Sequence, residues 1–111
     1  MVRRGEIWLA DLGDPVGHEE ALVRPVLLVN AQPWLDSQPP VLAAVPLSRT
    51  RRDAVTHVEV EPGRSGLQAT SYVRCEDLRA ISPRRLERRF GEAEDVVLLR
   101  VETILRRLLD L

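Results

Sequence analysis

A histidine, two carboxylates and an arginine stand close together in the chain and could act on a phosphate ester. His18, Glu19 and Glu20 are consecutive, and Arg24 follows just before the apolar run 26–29. An arginine can hold a phosphate through two parallel hydrogen bonds, while a carboxylate or an imidazole can transfer a proton. The segment therefore indicates phosphate-ester chemistry, with Arg24 fixed at the start of a buried strand.

The composition is that of a small soluble protein. The chain has 111 residues, of which 44% are hydrophobic, and we expect one domain over residues 1–111. No apolar run approaches the roughly 20 residues that cross a membrane, and no signal peptide is recognisable, so a cytoplasmic protein is expected. The net charge is −1, and all 16 basic residues are arginine, which suits bidentate phosphate contacts.

Cysteine and metal chemistry are not expected. Cys75 is the only cysteine, so neither an internal disulfide nor a cysteine-based metal cluster can form. We expect Cys75 to be an ordinary strand residue. His18, Glu19 and Glu20 could hold a cation only loosely, because three consecutive side chains rarely converge on one ion.

The apolar pattern predicts a β-rich chain. Alternation indicates half-buried strands and unbroken apolar runs indicate central ones. The predicted strands are 6–12, 24–30, 41–47, 56–61, 71–75 and 78–81. In the fourth of them, alternation puts His57 on the solvent face, where we expect an exposed histidine without a catalytic role.

The remaining segments predict one loop and two helices. The proline-rich stretch 32–40 is expected to be a loop. Ser82 and Pro83 indicate an N-cap and a first turn, and predict a short helix to Phe90. A final helix over 93–110 carries a wider apolar stripe than one small sheet covers, which predicts a dimer contact nearby. Short antiparallel strands followed by a helix give an α+β fold, β-dominant, in the form of a small barrel or half-barrel.

The order of these motifs resembles the MazF/PemK toxin family. The resemblance is carried by the opening Arg4-Gly5-Glu6-Ile7-Trp8, by residues 17–20 and 24–27, by Leu47-Ser48, and by residues 56–60, 66–67, 71–81 and 108–111. It implies an SH3-like small antiparallel barrel with a C-terminal helix. It further implies a homodimer that cleaves single-stranded RNA at short sequences and that a cognate MazE-like antitoxin neutralises.

The resemblance also implies roles for single residues. The arginine that opens the second strand and the hydroxyl that closes the third form the family's catalytic pair and correspond to Arg24 and Ser48. We expect Glu20 to be the third catalytic residue. RNA brings its own nucleophile, the 2′-hydroxyl, so no metal or other cofactor is expected. The residues expected to bind RNA are His18, Glu19, Arg49, Arg51, Glu76 and Asp77.

Three departures from the family pattern bear on the chemistry. Ser48 stands where threonine is commoner, and residues 18–20 are His-Glu-Glu where Ser-Glu-Gln is usual. Asp77 replaces a usual glutamine. A carboxylate only accepts hydrogen bonds, so Asp77 would select base edges that offer N–H donors and alter an inherited base preference.

Several alternatives stay open at the level of sequence. The general base could be His18, Glu19 or Glu20, and the imidazole has the most suitable intrinsic pKa. A toxin of the same fold that poisons gyrase would need a C-terminal binding tail, which residues 109–111 do not resemble. A non-catalytic RNA- or peptide-binding barrel is the third possibility, because Ser48 replaces the usual threonine.

Overall fold

A computed structural model describes residues 1–13 and 23–111 of the chain. The described strands are β1 (Glu6–Asp11), β2 (Val23–Leu28), β3 (Leu42–Ser48), β4 (His57–Val60), β5 (Ser71–Arg74), β6 (Arg79–Ile81) and β7 (Leu86–Glu92), and the α-helices are α1 (Gln32–Asp36) and α2 (Asp95–Leu109). One-turn 3-10 helices lie at Cys75–Asp77 and Pro83–Arg85. Within these ranges no helix has the length and apolar character needed to cross a membrane.

The strands form one antiparallel sheet with the order β4-β5-β3-β2-β1-β7, and β6 pairs with the beginning of β3. The predicted class, an α+β fold in which antiparallel β structure dominates and a helix ends the chain, is confirmed. The first six predicted strands agree with the observed ones to within about two residues at each end.

The central strands β2 and β3 are apolar on both faces because each face is covered. Leu27 and Val45 are fully buried in a cluster that includes Val97 and Val101 of α2. The alternate residues of the same strands, such as Leu28, belong to a second cluster on the opposite face. Burial on both sides explains why these strands read as continuous apolar runs.

The helix predicted from Ser82 to Phe90 is wrong. The cap signal itself is correct, because the Ser82 hydroxyl accepts a hydrogen bond from the Arg84 N–H at 3.2 Å. The helix lasts one turn, and residues 86–92 then form β7, which pairs with β1. Pairing with a strand that is distant in sequence overrides the local helix signal.

The stretch 32–40 is not wholly a loop. Its first half forms the five-residue helix α1, in which Pro33 occupies a first-turn position that needs no N–H donor. Leu35 of α1 is buried against the second cluster. The apolar side chain at 35 therefore anchors this segment to the sheet.

The two ends of the strand order approach each other through the turn after β4. The Glu92 N–H of β7 donates to the carbonyl oxygen of Arg64 at 3.1 Å. At Gly66 an added Cβ would lie 1.9 Å from the Phe90 carbonyl oxygen, so the turn and β7 touch backbone to backbone. This contact closes the barrel on the side where the candidate site lies.

Candidate active site

Strands β2 and β3 bring Arg24 and Ser48 into one cleft of about 610 Å³. The ladder between the two strands ends where Val26 pairs with Pro46. Pro25 has no N–H to continue the ladder on the β2 side. The strands therefore stop pairing at this end, and the next residues of each, including Arg24 and Ser48, line the opening. We call this opening the Arg24–Ser48 cleft.

Ser48 lines the cleft and is held by a hydrogen bond from the turn after β3. It is 7% exposed, and its Oγ accepts a hydrogen bond from the Thr50 N–H at 3.1 Å. A hydroxyl that accepts one bond still has its own O–H to donate. Ser48 can therefore donate a hydrogen bond to an oxygen atom of a ligand in the cleft.

The described lining of the Arg24–Ser48 cleft is strongly basic. It contains four arginines and no carboxylate, the arginines being Arg24, Arg49, Arg88 and Arg89. A cleft lined by one sign of charge concentrates ligands of the opposite sign, whatever the net charge of the chain. Although the net charge of the chain is −1, the arginines of this cleft attract a polyanion.

Arg89 of β7 is held against the cleft by a buried carboxylate on β1. Its Nε–H donates to Glu6 Oε2 at 2.6 Å, and only 5% of the Glu6 side chain is exposed. The other oxygen, Glu6 Oε1, accepts from the Arg3 N–H at 2.7 Å and from the Trp8 indole at 3.2 Å. Three donors converge on one carboxylate, so its position is fixed.

The same contacts decide the protonation of Glu6. Burial raises the pKa of Glu6, but the hydrogen bonds from Arg89, the Arg3 N–H and the Trp8 indole outweigh burial and hold the pKa below its ordinary value of 4.5. A carboxyl whose pKa is lower in the folded state stabilises that state above the unfolded pKa, and the contribution is lost as the pH falls through the folded pKa.

We therefore expect wild type to have a larger unfolding free energy than Glu6→Gln. The difference should be full at neutral pH and should shrink as the pH falls below about 4.5. Urea unfolding of both proteins at a series of pH values measures the difference in unfolding free energy. A difference that stays constant across the acidic range would show that the ionised form of Glu6 is not what stabilises the fold.

The remaining predicted RNA-binding residues are distributed unevenly. Arg49 lines the cleft, whereas Arg51 does not and instead donates to Asp53 at 2.8 Å on the surface. Glu76 and Asp77 are also absent from the described lining. Both carboxylates lie near Arg74, whose Nε is 3.9 Å from Glu76 Oε2 and 3.0 Å from Asp77 Oδ2.

The prediction that His57 faces solvent is wrong. Its side chain is 4% exposed, and Nε2 lies 2.7 Å from Glu76 Oε2. The reason is a long-range contact: the Glu76 carboxylate, from the 3-10 turn after β5, binds the imidazole. Burial raises the pKa of Glu76, but hydrogen bonds from His57 and Thr56 outweigh it, and the net pKa is below its ordinary value.

Cys75 is buried, in the 3-10 turn after β5. Burial, together with the adjacent Glu76 carboxylate, raises the pKa of the Cys75 thiol to about 12. A thiol with this pKa is almost entirely protonated at neutral pH and is a poor nucleophile. Cys75 is accordingly a packing residue, although it follows the strand instead of lying within it.

Three of the predicted residues, His18, Glu19 and Glu20, lie outside the described residues. Arg88, Arg89 and Phe90 form one wall of the cleft and were not among the predicted site residues. The helix predicted for this segment explains the omission, because consecutive residues of a helix point in different directions. The run of arginines next to Phe90 was the available signal.

Known proteins resemble this chain in sequence and in fold. The family model described as "PemK-like, MazF-like toxin of type II toxin-antitoxin system" matches residues 3–109. Endoribonuclease EndoA of Bacillus subtilis strain 168 is 30% identical over 107 residues, which cover 96% of this chain and 92% of that protein.

Two solved structures show the same fold. An endoribonuclease from a Mycobacterial species, in complex with its cognate antitoxin, superposes with a TM-score of 0.81 at 24% identity and covers 100% of this chain and 97% of its own. MazF from Deinococcus radiodurans also has a TM-score of 0.81, at 22% identity, covering 97% of this chain and 96% of its own. From the family match over nearly its whole length and the 30% identical relative, the chain belongs to the PemK-like, MazF-like toxins of type II toxin-antitoxin systems.

Proposed function

We propose that this protein is a metal-independent endoribonuclease that cleaves single-stranded mRNA at specific short sequences. The observation that carries the proposal is the meeting of Arg24 and Ser48 in one cleft whose described lining holds four arginines and no carboxylate. The relationship to an endoribonuclease at 30% identity supports the same activity.

The chemistry follows from the substrate. The 2′-oxygen attacks the adjacent phosphorus, the bond from phosphorus to the 5′-oxygen breaks, and the products end in a 2′,3′-cyclic phosphate and a 5′-hydroxyl. Arg24 stabilises the extra negative charge on the pentacovalent phosphorus, because its guanidinium is planar and permanently cationic. Ser48 donates a hydrogen bond to a non-bridging oxygen. The 2′-hydroxyl gives its proton to a general base, for which Glu20, Glu19 and His18 are the candidates.

Other residues would extend the contact with RNA. Arg49 lies in the cleft and is suited to a neighbouring phosphate. Arg51 is exposed and does not line the cleft, so it would attract RNA phosphates electrostatically from a longer distance. We assign Glu76 and Asp77 to base reading, and because both carboxylates also contact Arg74, the Arg74 guanidinium would set their orientation.

We infer that the toxin forms a homodimer and that a cognate MazE-like antitoxin neutralises it in the cytoplasm, where mRNA is available. The Mycobacterial endoribonuclease of the same fold was solved in complex with its cognate antitoxin. Several apolar side chains of α2 remain uncovered in one chain, including Val96, Leu99 and Leu109, and Leu99 is 62% exposed. Apolar side chains grouped on one helix favour an interface over free solvent.

A direct assay tests the activity. The purified protein is incubated with long single-stranded RNA in excess chelator, and the 3′ ends of the fragments are analysed. We expect discrete fragments that end in cyclic phosphate, and sequencing them gives the cleavage motif. Intact RNA, or fragments that form only when a divalent metal is added, would contradict the proposed function.

A further inference from the structure

The strand β7 departs twice from regular pairing, next to the cleft. Ile7 pairs with Gly91 and Trp8 with Arg89, so β7 has one extra residue between these steps, and a second irregularity follows between Leu9 and Ala10. In a regular strand consecutive side chains point to opposite faces. A bulge breaks this alternation and re-aims side chains. Three consecutive residues, Arg88 to Phe90, therefore line the same cleft.

Arg89 is presented to the cleft as a fixed donor. Its Nε–H is used by Glu6, which is buried and makes two further hydrogen bonds. The Arg89 side chain is nevertheless 46% exposed. A guanidinium carries five N–H donors in a planar fork, so the group can bind Glu6 on one edge and a phosphate on another.

Arg88 and Phe90 form a stacked pair beside it. The guanidinium carbon of Arg88 lies 4.8 Å from the centre of the Phe90 ring. This contact is a cation–π interaction, which orders a side chain that is otherwise exposed. Nucleobases in single-stranded RNA stack on arginine planes and aromatic rings, so the exposed side of this pair is suited to a base.

We propose that Arg88, Arg89 and Phe90 form a subsite for one nucleotide next to the scissile phosphate. Arg89 contacts the backbone phosphate of that nucleotide, the Arg88–Phe90 pair stacks on its base, and Glu6 is the positioning residue for Arg89. The proposal rests on the proposed function. Stacking and phosphate contacts carry little base information, so the subsite contributes affinity at a position where the toxin tolerates several bases.

The test uses a short RNA with the cleavage motif and a 2′-deoxy nucleotide at the cut site, which removes the nucleophile and allows equilibrium binding. Arg89→Gln should raise Kd about tenfold, because the variant loses a hydrogen bond to a charged phosphate. The slope of log Kd against log salt should fall by about 0.7, the value for one phosphate on a single strand. Arg88→Ala should also raise Kd about tenfold, and this effect should vanish on RNA with an abasic site at the flanking nucleotide.

The matched control is Arg64→Gln. Arg64 also bridges to a carboxylate of β7, with Nε 3.2 Å from Glu92, but it does not line the cleft. Arg64→Gln should leave Kd within about twofold of wild type, because exposed arginine–carboxylate pairs contribute little. If Arg89→Gln and Arg88→Ala behave like this control while wild type cleaves RNA, the subsite is refuted and the nuclease stands. If wild type does not cleave RNA at all, the proposed function fails instead.

A double-mutant cycle with Arg89 tests whether Glu6 acts by positioning Arg89. Glu6→Gln should raise Kd by less than Arg89→Gln does, and the double variant should bind no more weakly than Arg89→Gln alone, because both changes act through one guanidinium. The single-turnover cleavage rate at saturating RNA should stay within about threefold of wild type. Additive losses in the double variant, or a rate loss without a change in Kd, would exclude the positioning role.

Discussion

Replacing Arg24 with glutamine should lower the single-turnover rate of RNA cleavage by about 10²–10³-fold, at saturating RNA and without loss of the fold. The reason is that negative charge grows on the phosphoryl oxygens only as the 2′-oxygen bonds to phosphorus. A preorganised donor directed at that charge stabilises the transition state more than the bound substrate, and removing one such donor costs about 2.7–4 kcal/mol of barrier. The measurement is the rate of cyclic phosphate formation with enzyme in excess.

The matched control is Arg49→Gln, which removes the same charge from the same cleft. Arg49 is exposed in the turn after β3, so its loss should weaken RNA binding and leave the rate at saturation within a few-fold of wild type. Arg24→Lys should recover little activity, because an ammonium keeps the charge but not the planar fork. If Arg24→Gln and Arg49→Gln lose rate equally, Arg24 contributes only to the general potential of the cleft.

Substituting Gly66 with alanine should reduce the free energy of unfolding by about 2–5 kcal/mol. The residue has φ +73°, a conformation that costs an L side chain about 1–2 kcal/mol. In addition, the new Cβ would lie 1.9 Å from the carbonyl oxygen of Phe90 and 2.5 Å from its carbonyl carbon. Backbone atoms cannot rotate away as a side chain can, so overpacking adds a further cost of about 1–3 kcal/mol. Urea unfolding measures the loss.

Gly63→Ala separates the two contributions. Gly63 lies in the same turn with φ +110°, but an added Cβ there meets nothing within 4 Å. It should show only the conformational cost, so the difference between the two variants is the cost of forcing the turn away from β7. Equal losses in the two variants would mean that the turn at Gly66 moves aside freely and does not hold the barrel closed.

The strands and the final helix could be predicted from sequence because their signals are local. Alternation at Val58 and Val60, and unbroken apolar runs in β2 and β3, report burial directly. The seventh strand could not be predicted, because Ser82 and Pro83 begin a real turn and the pairing of residues 86–92 with β1 leaves no local trace. The burial of His57 could not be predicted for a related reason: nothing in β4 shows that Glu76, 19 positions later in the chain, binds the imidazole.

Some residues of the candidate site could also be predicted from local sequence, whereas others depend on contacts between distant segments. Arg24 and Ser48 follow from motif order, and the structure brings both to one cleft. Glu6 appears in the opening motif, but its bond to Arg89 joins residues 83 positions apart and is invisible in either segment. The bulges that turn Arg88 and Phe90 into the cleft depend on the register of β7 against β1, which sequence does not specify.

The contact between the turn after β4 and strand β7 also bears on the order in which the chain is synthesised. Arg24 and Ser48 leave the ribosome early, whereas β7 is the last of the described strands to emerge and α2 follows it. The hydrogen bond between the Arg64 carbonyl and the Glu92 N–H therefore cannot form until β7 has emerged. Until then the cleft lacks the wall that β7 provides. Since a small domain folds as a unit, a nascent chain from which β7 has not yet emerged does not carry the complete site. The cleft can therefore bind a ligand only after residues 86–92 have been synthesised and have paired with β1.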